Sequence, residues 1–172
     1  MKLGIISDTH DRTAGIDGAF DIFIKNSVAL VIHCGDWTKP ETAEYFAHRA
    51  SGARLAVKGV LGNNDRQVEQ FLELAKMWQD FELHEGALRA HAGGRKVIVY
   101  HGHHTPTMRA VLGEECDLLC LGHSHKPRYD RLDTKVVVNP GSTAFAIPRS
   151  KQWHASVAIY DTETGEAEFH YF

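Results

Sequence analysis

Residues 1–11 read MKLGIISDTHD, an apolar run from Leu3 to Ile6 that passes without a break into the polar cluster Ser7 to Asp11. A short apolar run bounded by polar residues reads as a buried strand. The chain then turns helical around Phe20 to Ile24 and returns to an apolar run at Val28 to Ile32, which is the grammar of a βαβ unit. Thr38 and Glu41 fit a capping box, with Pro40 in the first turn of a second helix. Strand pattern resumes at Leu55 to Val57, and a third helix is predicted around Val68 to Met77. From residue 81 onward the pattern becomes strand-rich, at Phe81 to Leu83, Leu88 to His91, Val97 to Tyr100, Leu118 to Leu121, Val136 to Val138 and Val157 to Tyr160. One short helix near Met108 to Leu112 interrupts it. Gly93-Gly94 separates two strand-like runs, Asp133-Thr134 offers a turn for another pair, and Thr164-Gly165 sits between Ala158 to Tyr160 and the closing Glu168 to Phe172, as expected of antiparallel hairpins. The expectation is a parallel half buried against a hairpin half, two sheets with helices outside.

A chain of 172 residues suits one domain, and it is long enough to close a hydrophobic core unaided. Apolar residues make up 43% and charged residues 24%, which sets aside the disordered and fibrous classes. No apolar run approaches membrane-span length, and the N-terminus lacks the tripartite pattern of a secretory signal. A cytoplasmic protein with no membrane partner is expected. Cys34, Cys116 and Cys120 include no C-x-x-C pair and read as reduced thiols. A formal charge of -3 supplies no global basic field, which argues against long nucleic acid as a partner. A homodimer is compatible with the composition. Twelve histidines in so short a chain are the compositional oddity, so their placement matters.

Asp8 and His10 stand directly after the first apolar strand, at the strand end where α/β sheets place their ligands. The next buried strand runs into HCGD with Asp36, and the third into GNND with Asn63. Val97 to Tyr100 ends at His101 in HGH, and Leu118 to Leu121 runs into GHSH with His123 and His125. Carboxylate, amide and imidazole donors together suit borderline divalent ions such as manganese, iron, zinc or nickel better than calcium. Seven donors exceed what one ion needs. Two ions sharing Asp36 is the economical arrangement, with the metals about 3.5–4 Å apart as is typical of two-metal sites. Glycines 35, 62, 102 and 122 flank these residues, where the backbone must turn sharply. His33, His48, His84, His91, His104, His154 and His170 have no such placement and read as packing or surface residues.

The ordered set D-x-H, G-D, G-N-x-D, H-G-H and G-H-x-H, spanning residues 8 to 125, resembles the calcineurin-like metallophosphoesterase superfamily. With N-P-G-S at 139–142, the chain is most similar to the small YfcE-like phosphodiesterases. The resemblance implies an α/β fold, a four-layer α/β/β/α sandwich of two mixed β-sheets flanked by helices. It implies one metal held by Asp8, His10, Asp36 and His125 and another by Asp36, Asn63, His101 and His123, with manganese the expected ion. Asn139 would support the site as a hydrogen-bonding group behind the ligands. Many superfamily members carry a histidine after the Asn, thought to protonate the leaving oxygen; here Asn64 occupies that slot. An amide donates a hydrogen bond but is no general acid at neutral pH. His103 is the substitute candidate for that acid or for a phosphate contact, and Arg12 and Arg66, close in sequence to the ligands, are either holders of a phosphate oxygen or solvated surface arginines.

The expected reaction is hydrolysis of a phosphodiester, a small nucleotide or other activated diester, by a hydroxide bridging two ions. A rival from another class is a non-catalytic protein-binding scaffold, as in the retromer subunit that resembles this family. Retention of all seven donors favours the enzyme. A DNA-repair nuclease of the same superfamily would be much longer and carry a DNA-capping domain, which is not expected here.

Overall fold

The computed structural model describes residues 1–144, 147–149 and 152–172. Four parallel strands, β1 (Lys2–Ile6), β2 (Leu30–His33), β3 (Ala56–Val60) and β4 (Phe81–His84), are connected in turn by α1 (Thr13–Lys25), α2 (Pro40–Ala53) and α3 (Val68–Lys76). The second sheet is built from β5 (Leu88–Ala92), β6 (Arg95–Tyr100), β7 (Leu118–Leu121), β8 (Arg128–Arg131) and β9 (Val136–Asn139), with α4 (Thr105–Gly113) between β6 and β7. Its order is β5-β6-β7-β9-β8, with β6, β7 and β9 parallel and both edges antiparallel. β10 (Ile147–Arg149) and β11 (Gln152–His154) form a pair of their own. β12 (Ser156–Asp161) and β13 (Glu166–Tyr171) then return to the first sheet, whose order is β13-β12-β1-β2-β3-β4. Among the described residues no helix is long and apolar enough to cross a membrane.

Strand alternation stacks these elements in four layers. Leu3 and Ile5 of β1 face one way and pack with Ile32, Val99, Leu118 and Val138 in a layer between the two sheets. Ile6 faces the other way, into a core with Phe20, Phe23, Phe46 and Phe71 from the three helices. Each of these four phenylalanines is fully buried, and burial of such a side chain contributes roughly 1.5–3 kcal/mol. The opposite face of the second sheet packs Ile98, Leu119 and Leu121 under Val111 of α4. The result is the α/β/β/α sandwich of two mixed sheets.

Three sequence expectations change. The strand-rich half is not a hairpin half: β4 joins the parallel ladder beside β3, β6-β7-β9 are parallel, and the hairpin β12-β13 closes the first sheet. Periodicity reports which residues are buried but not which sheet buries them. The edge strand β8, sequence RYDR, carries no apolar run and gave no strand signal. Finally, α2 begins at Pro40 with Lys39 as its N-cap and no side-chain cap. Thr38 instead turns its backbone amide to Asp65 Oδ1 at 2.6 Å and its hydroxyl to His10 Nδ1 at 3.2 Å. The three hairpin turns stand as read, each joining an antiparallel pair.

Candidate metal centre

The loops that follow β1, β2, β3, β6 and β7 meet at one edge, where the C-terminal ends of parallel strands from both sheets converge. This is where open α/β sheets leave a crevice. Asp8 and Asp36 are buried, His10 is half-buried, and their donor atoms lie with that of His125 within 4.8 Å of one another. His125 Nε2 is 3.0 Å from Asp8 Oδ1 and 3.3 Å from His10 Nε2. His10 Nε2 is in turn 3.6 Å from Asp36 Oδ2. On the other side of the same carboxylate, Asp36 Oδ1 lies 3.3 Å from His101 Nε2, which is 3.1 Å from Asn63 Oδ1. His123 is exposed, its ring centroid 5.2 Å from that of His101. Thus Asp36 turns one oxygen to each half of the cluster.

The donor set fits divalent cations. His101 Nδ1 sits 2.8 Å from the Cys34 carbonyl, which can only accept, so Nδ1 carries the proton. Its Nε2 then points a lone pair at the Asp36 carboxylate, which can only accept, with the Asn63 amide oxygen beside it, an arrangement that positive charge between them relieves. In the absence of a metal a proton serves: burial opposes the His101 charge, but Asp36 and Asp8 outweigh it and hold the pKa above the ordinary value. Burial likewise tends to raise the Asp36 carboxyl, yet hydrogen bonds from His101 and Asn64 hold it well below the usual carboxylate range. His125 is raised by its contact with Asp8, whereas His10 is lowered chiefly by burial. Asp36 is therefore ionised and the cluster attracts cations.

The backbone pays locally for this convergence. Asp8, His10, Asp36, Thr38, His123 and His125 all have left-handed φ, between 40° and 82°. Each such non-glycine residue costs of order 1–3 kcal/mol and persists only when its surroundings over-determine it. Here they do: Asp8 N donates to Gly35 O (3.0 Å), His10 N to Asp36 O (3.2 Å) and His123 N to Asp8 Oδ2 (3.1 Å). Asp36 N donates to Asp65 Oδ2 (3.0 Å), and that same oxygen takes Gly62 N at 2.7 Å. Asp65 is the functional residue that sequence reasoning missed. It is 2% exposed, and burial pushes its carboxyl up to about 6 against the pull of the Gly62 and Thr38 amides. The only sequence signal was its place in GNND, where it looks like one more ligand.

Gly62 is required by crowding rather than by torsion. A Cβ there would stand 2.6 Å from the Asp36 amide nitrogen and would run into Asp36 Oδ1. Gly62→Ala should therefore displace Asp36 and lower turnover by about 10–100-fold, the scale seen when a metal ligand loses its support. Measured kcat within twofold of wild type would show that the loop absorbs the methyl group.

The remaining predicted residues divide. Asn64 is held against Asp36, its amide nitrogen donating to Oδ1 (3.0 Å) and its side-chain Nδ2 to Oδ2 (2.7 Å). Asn139 Nδ2 donates to Gly122 O (2.6 Å) and Ser124 Oγ (3.1 Å), and so braces the loop that carries His123 and His125. His103 is exposed at the rim, its ring centroid 5.5 Å from that of His101. Arg12 and Arg66 are exposed and make no side-chain hydrogen bond or ion pair among the described residues. His33, read as a packing residue, is fully buried and stacked on Trp37 with ring centroids 3.4 Å apart.

Comparison with known proteins agrees with this fold. The calcineurin-like phosphoesterase superfamily domain matches residues 1–165. A phosphodiesterase of Methanocaldococcus jannaschii is 29% identical over 170 residues, which is 96% of each chain. A probable metallophosphoesterase of Methanothermobacter thermautotrophicus is 31% identical, over 98% of this chain and 91% of its own. Among solved structures, an archaeal phosphodiesterase superposes over the whole of both chains with a TM-score of 0.84 and 26% identity. Vps29 of Entamoeba histolytica shares the fold alone, with a TM-score of 0.65 and 20% identity over 100% of this chain and 99% of its own.

Proposed function

Because this chain belongs to the calcineurin-like phosphoesterase superfamily, we propose that it is a metal-dependent phosphodiesterase acting on a small nucleotide or other activated diester through two ions that share Asp36. The observation that carries this reading is the Asp36 carboxylate, with Oδ2 toward His10 and Oδ1 toward His101. Asp8, His10, Asp36 and His125 would hold one cation, and Asp36, Asn63, His101 and His123 the other; manganese suits such mixed oxygen and nitrogen donors. Two divalent ions held there would supply a water nucleophile at neutral pH and offset charge on the phosphate. The chain's own residues orient the centre. Asn64 fixes Asp36 with two hydrogen bonds, Cys34 O fixes the His101 tautomer, and Asn139 fixes the His123 loop. The test is hydrolysis of bis(4-nitrophenyl) phosphate with added manganese. Turnover that is lost on chelation and recovered on reconstitution supports the enzyme. The alternative, a protein-binding scaffold of the same fold, predicts none.

Leaving-group protonation distinguishes this chain from relatives with histidine at position 64. The Asn64 amide is committed to Asp36. His103, exposed at the rim, is lowered by partial burial and then by its neighbours His101 and His123, which favours the neutral imidazole over a proton-donating imidazolium. The rate should therefore fall steeply as leaving-group pKa rises. Asn64→His should narrow the gap between aryl and alkyl diesters, within the roughly 10²–10⁴-fold that general acids contribute. A flat leaving-group plot for the wild type would mean that some other group delivers the proton.

A further inference from the structure

At the end of the sheets opposite the candidate metal centre lies a second polar cavity of about 180 Å³. Its walls come from the start of β6, the β8–β9 turn and the β12–β13 turn, which the strand directions place far from the ligand loops. Tyr160 lines it: the residue is 1% exposed, and its hydroxyl opens onto the cavity and makes no hydrogen bond among the described residues. Burial raises its pKa, so at neutral pH it is a donor in search of an acceptor.

Two guanidinium groups reach the same space. Gly165, at φ 72°, leaves open a point that a Cβ would occupy 3.7 Å from Arg95 Nη2 and 3.7 Å from the Tyr160 hydroxyl. Arg95 is anchored by its other nitrogens, Nε to Thr162 O (2.8 Å) and Nη1 to Asp117 Oδ1 (3.5 Å), so Nη2 remains available. Arg131 spends only Nη2, on Tyr129, Gly165 O and Glu166. The carboxylates nearby are largely committed: Asp117 to Arg95 and to Lys96 N (2.7 Å), Glu166 to Arg131 and Tyr129, while Asp133 is exposed to solvent. Lys135 also lines the cavity, but its Nζ is turned to the carbonyls of Leu112 and Glu114.

We propose that this cavity binds a phosphate-sized oxyanion, through Arg95 Nη2, the unused nitrogens of Arg131 and the Tyr160 hydroxyl. Charge-assisted hydrogen bonds to a planar guanidinium are the strong kind, and a hydroxyl donor fixed beside them adds direction. The volume suits a phosphate, a sulfate or the phosphate end of an ester, and it falls below the roughly 300–1,000 Å³ of sites that enclose a whole drug-sized ligand. The inference stands on this cavity alone and is independent of the reaction proposed for the metal centre.

The test is titration of zinc-loaded, isotopically labelled protein with inorganic phosphate, followed by two-dimensional NMR of the Thr134, Thr164 and Gly165 amides. Saturable shifts are expected there, absent with chloride at matched ionic strength. Tyr160→Phe removes one oxygen that has no protein partner, so the fold should hold while binding weakens about tenfold, the worth of one hydrogen bond to a charged group. Arg131→Gln should weaken it similarly, and Asp36→Asn should leave it unchanged. A parallel titration with an alkyl phosphate separates a site for the free ion, which rejects the ester, from one that takes an ester-borne phosphate. The proposal fails if the three amides do not shift saturably up to about 100 mM phosphate, a concentration at which binding is negligible on any useful scale. It fails equally if Tyr160→Phe binds as tightly as the wild type.

Discussion

Asp36→Asn is expected to reduce kcat/KM by about 10³-fold or more, since metal-supplied charge stabilisation amounts to several kcal/mol and each 1.36 kcal/mol is tenfold. The substitution keeps the shape of the side chain but removes its charge. One of the two positions now carries an NH₂ group, which faces either the Asn64 backbone amide and His101 or the Asn64 side-chain amide and His10. Neither choice preserves an acceptor on both sides. Circular dichroism should be unchanged, because the backbone contacts of residue 36 run through its own amide and carbonyl. Activity within tenfold of wild type at saturating manganese would remove Asp36 from its shared position.

The second large effect is on stability. Asp65→Ala strips the acceptor from three backbone amides, those of Asp36, Thr38 and Gly62. An unsatisfied buried donor costs about 1–3 kcal/mol, so a loss of roughly 3–6 kcal/mol is expected after partial hydration. At about 2–4 °C per kcal/mol for a chain of this length, the midpoint should fall by roughly 6–24 °C. Turnover should fall too, because residues 36 and 38 lose the contacts that hold them in the left-handed region. Asp65→Asn, which keeps one acceptor oxygen, should lie between. The measurement is thermal and chemical denaturation of the three proteins side by side. An Ala variant melting within about 2 °C of wild type would show that the loop holds without this carboxylate.

Much of this architecture was legible from apolar runs because nearly every central strand is a short, fully buried segment that stops at a polar cluster. Leu3 to Ile6, Val97 to Tyr100 and Leu118 to Leu121 are of this kind, and reading their ends brought seven polar residues into view that the fold carries to one edge. What escaped was decided by tertiary pairing. Phe81 to Leu83 looks the same whether it continues a parallel ladder or opens a hairpin, and β8 presents only Arg, Tyr and Asp to the reader. Thr38 carried a plausible capping signal, but the local bond lost to a partner 27 residues away. Asp65 was hidden differently: a carboxylate that caps backbone amides and one that faces a cation are the same letter in sequence.

The left-handed residues around the centre have an evolutionary meaning as well. Among the described residues, nine non-glycine positions have positive φ, and seven of them are Asp8, His10, Asp11, Asp36, Thr38, His123 and His125. Glycine, and to a lesser degree asparagine, would occupy each of these positions with less strain. A population selected only for resistance to heat would drift toward those residues and dismantle the centre one side chain at a time. Aspartate and histidine at these positions make the loops a trade of stability for chemistry.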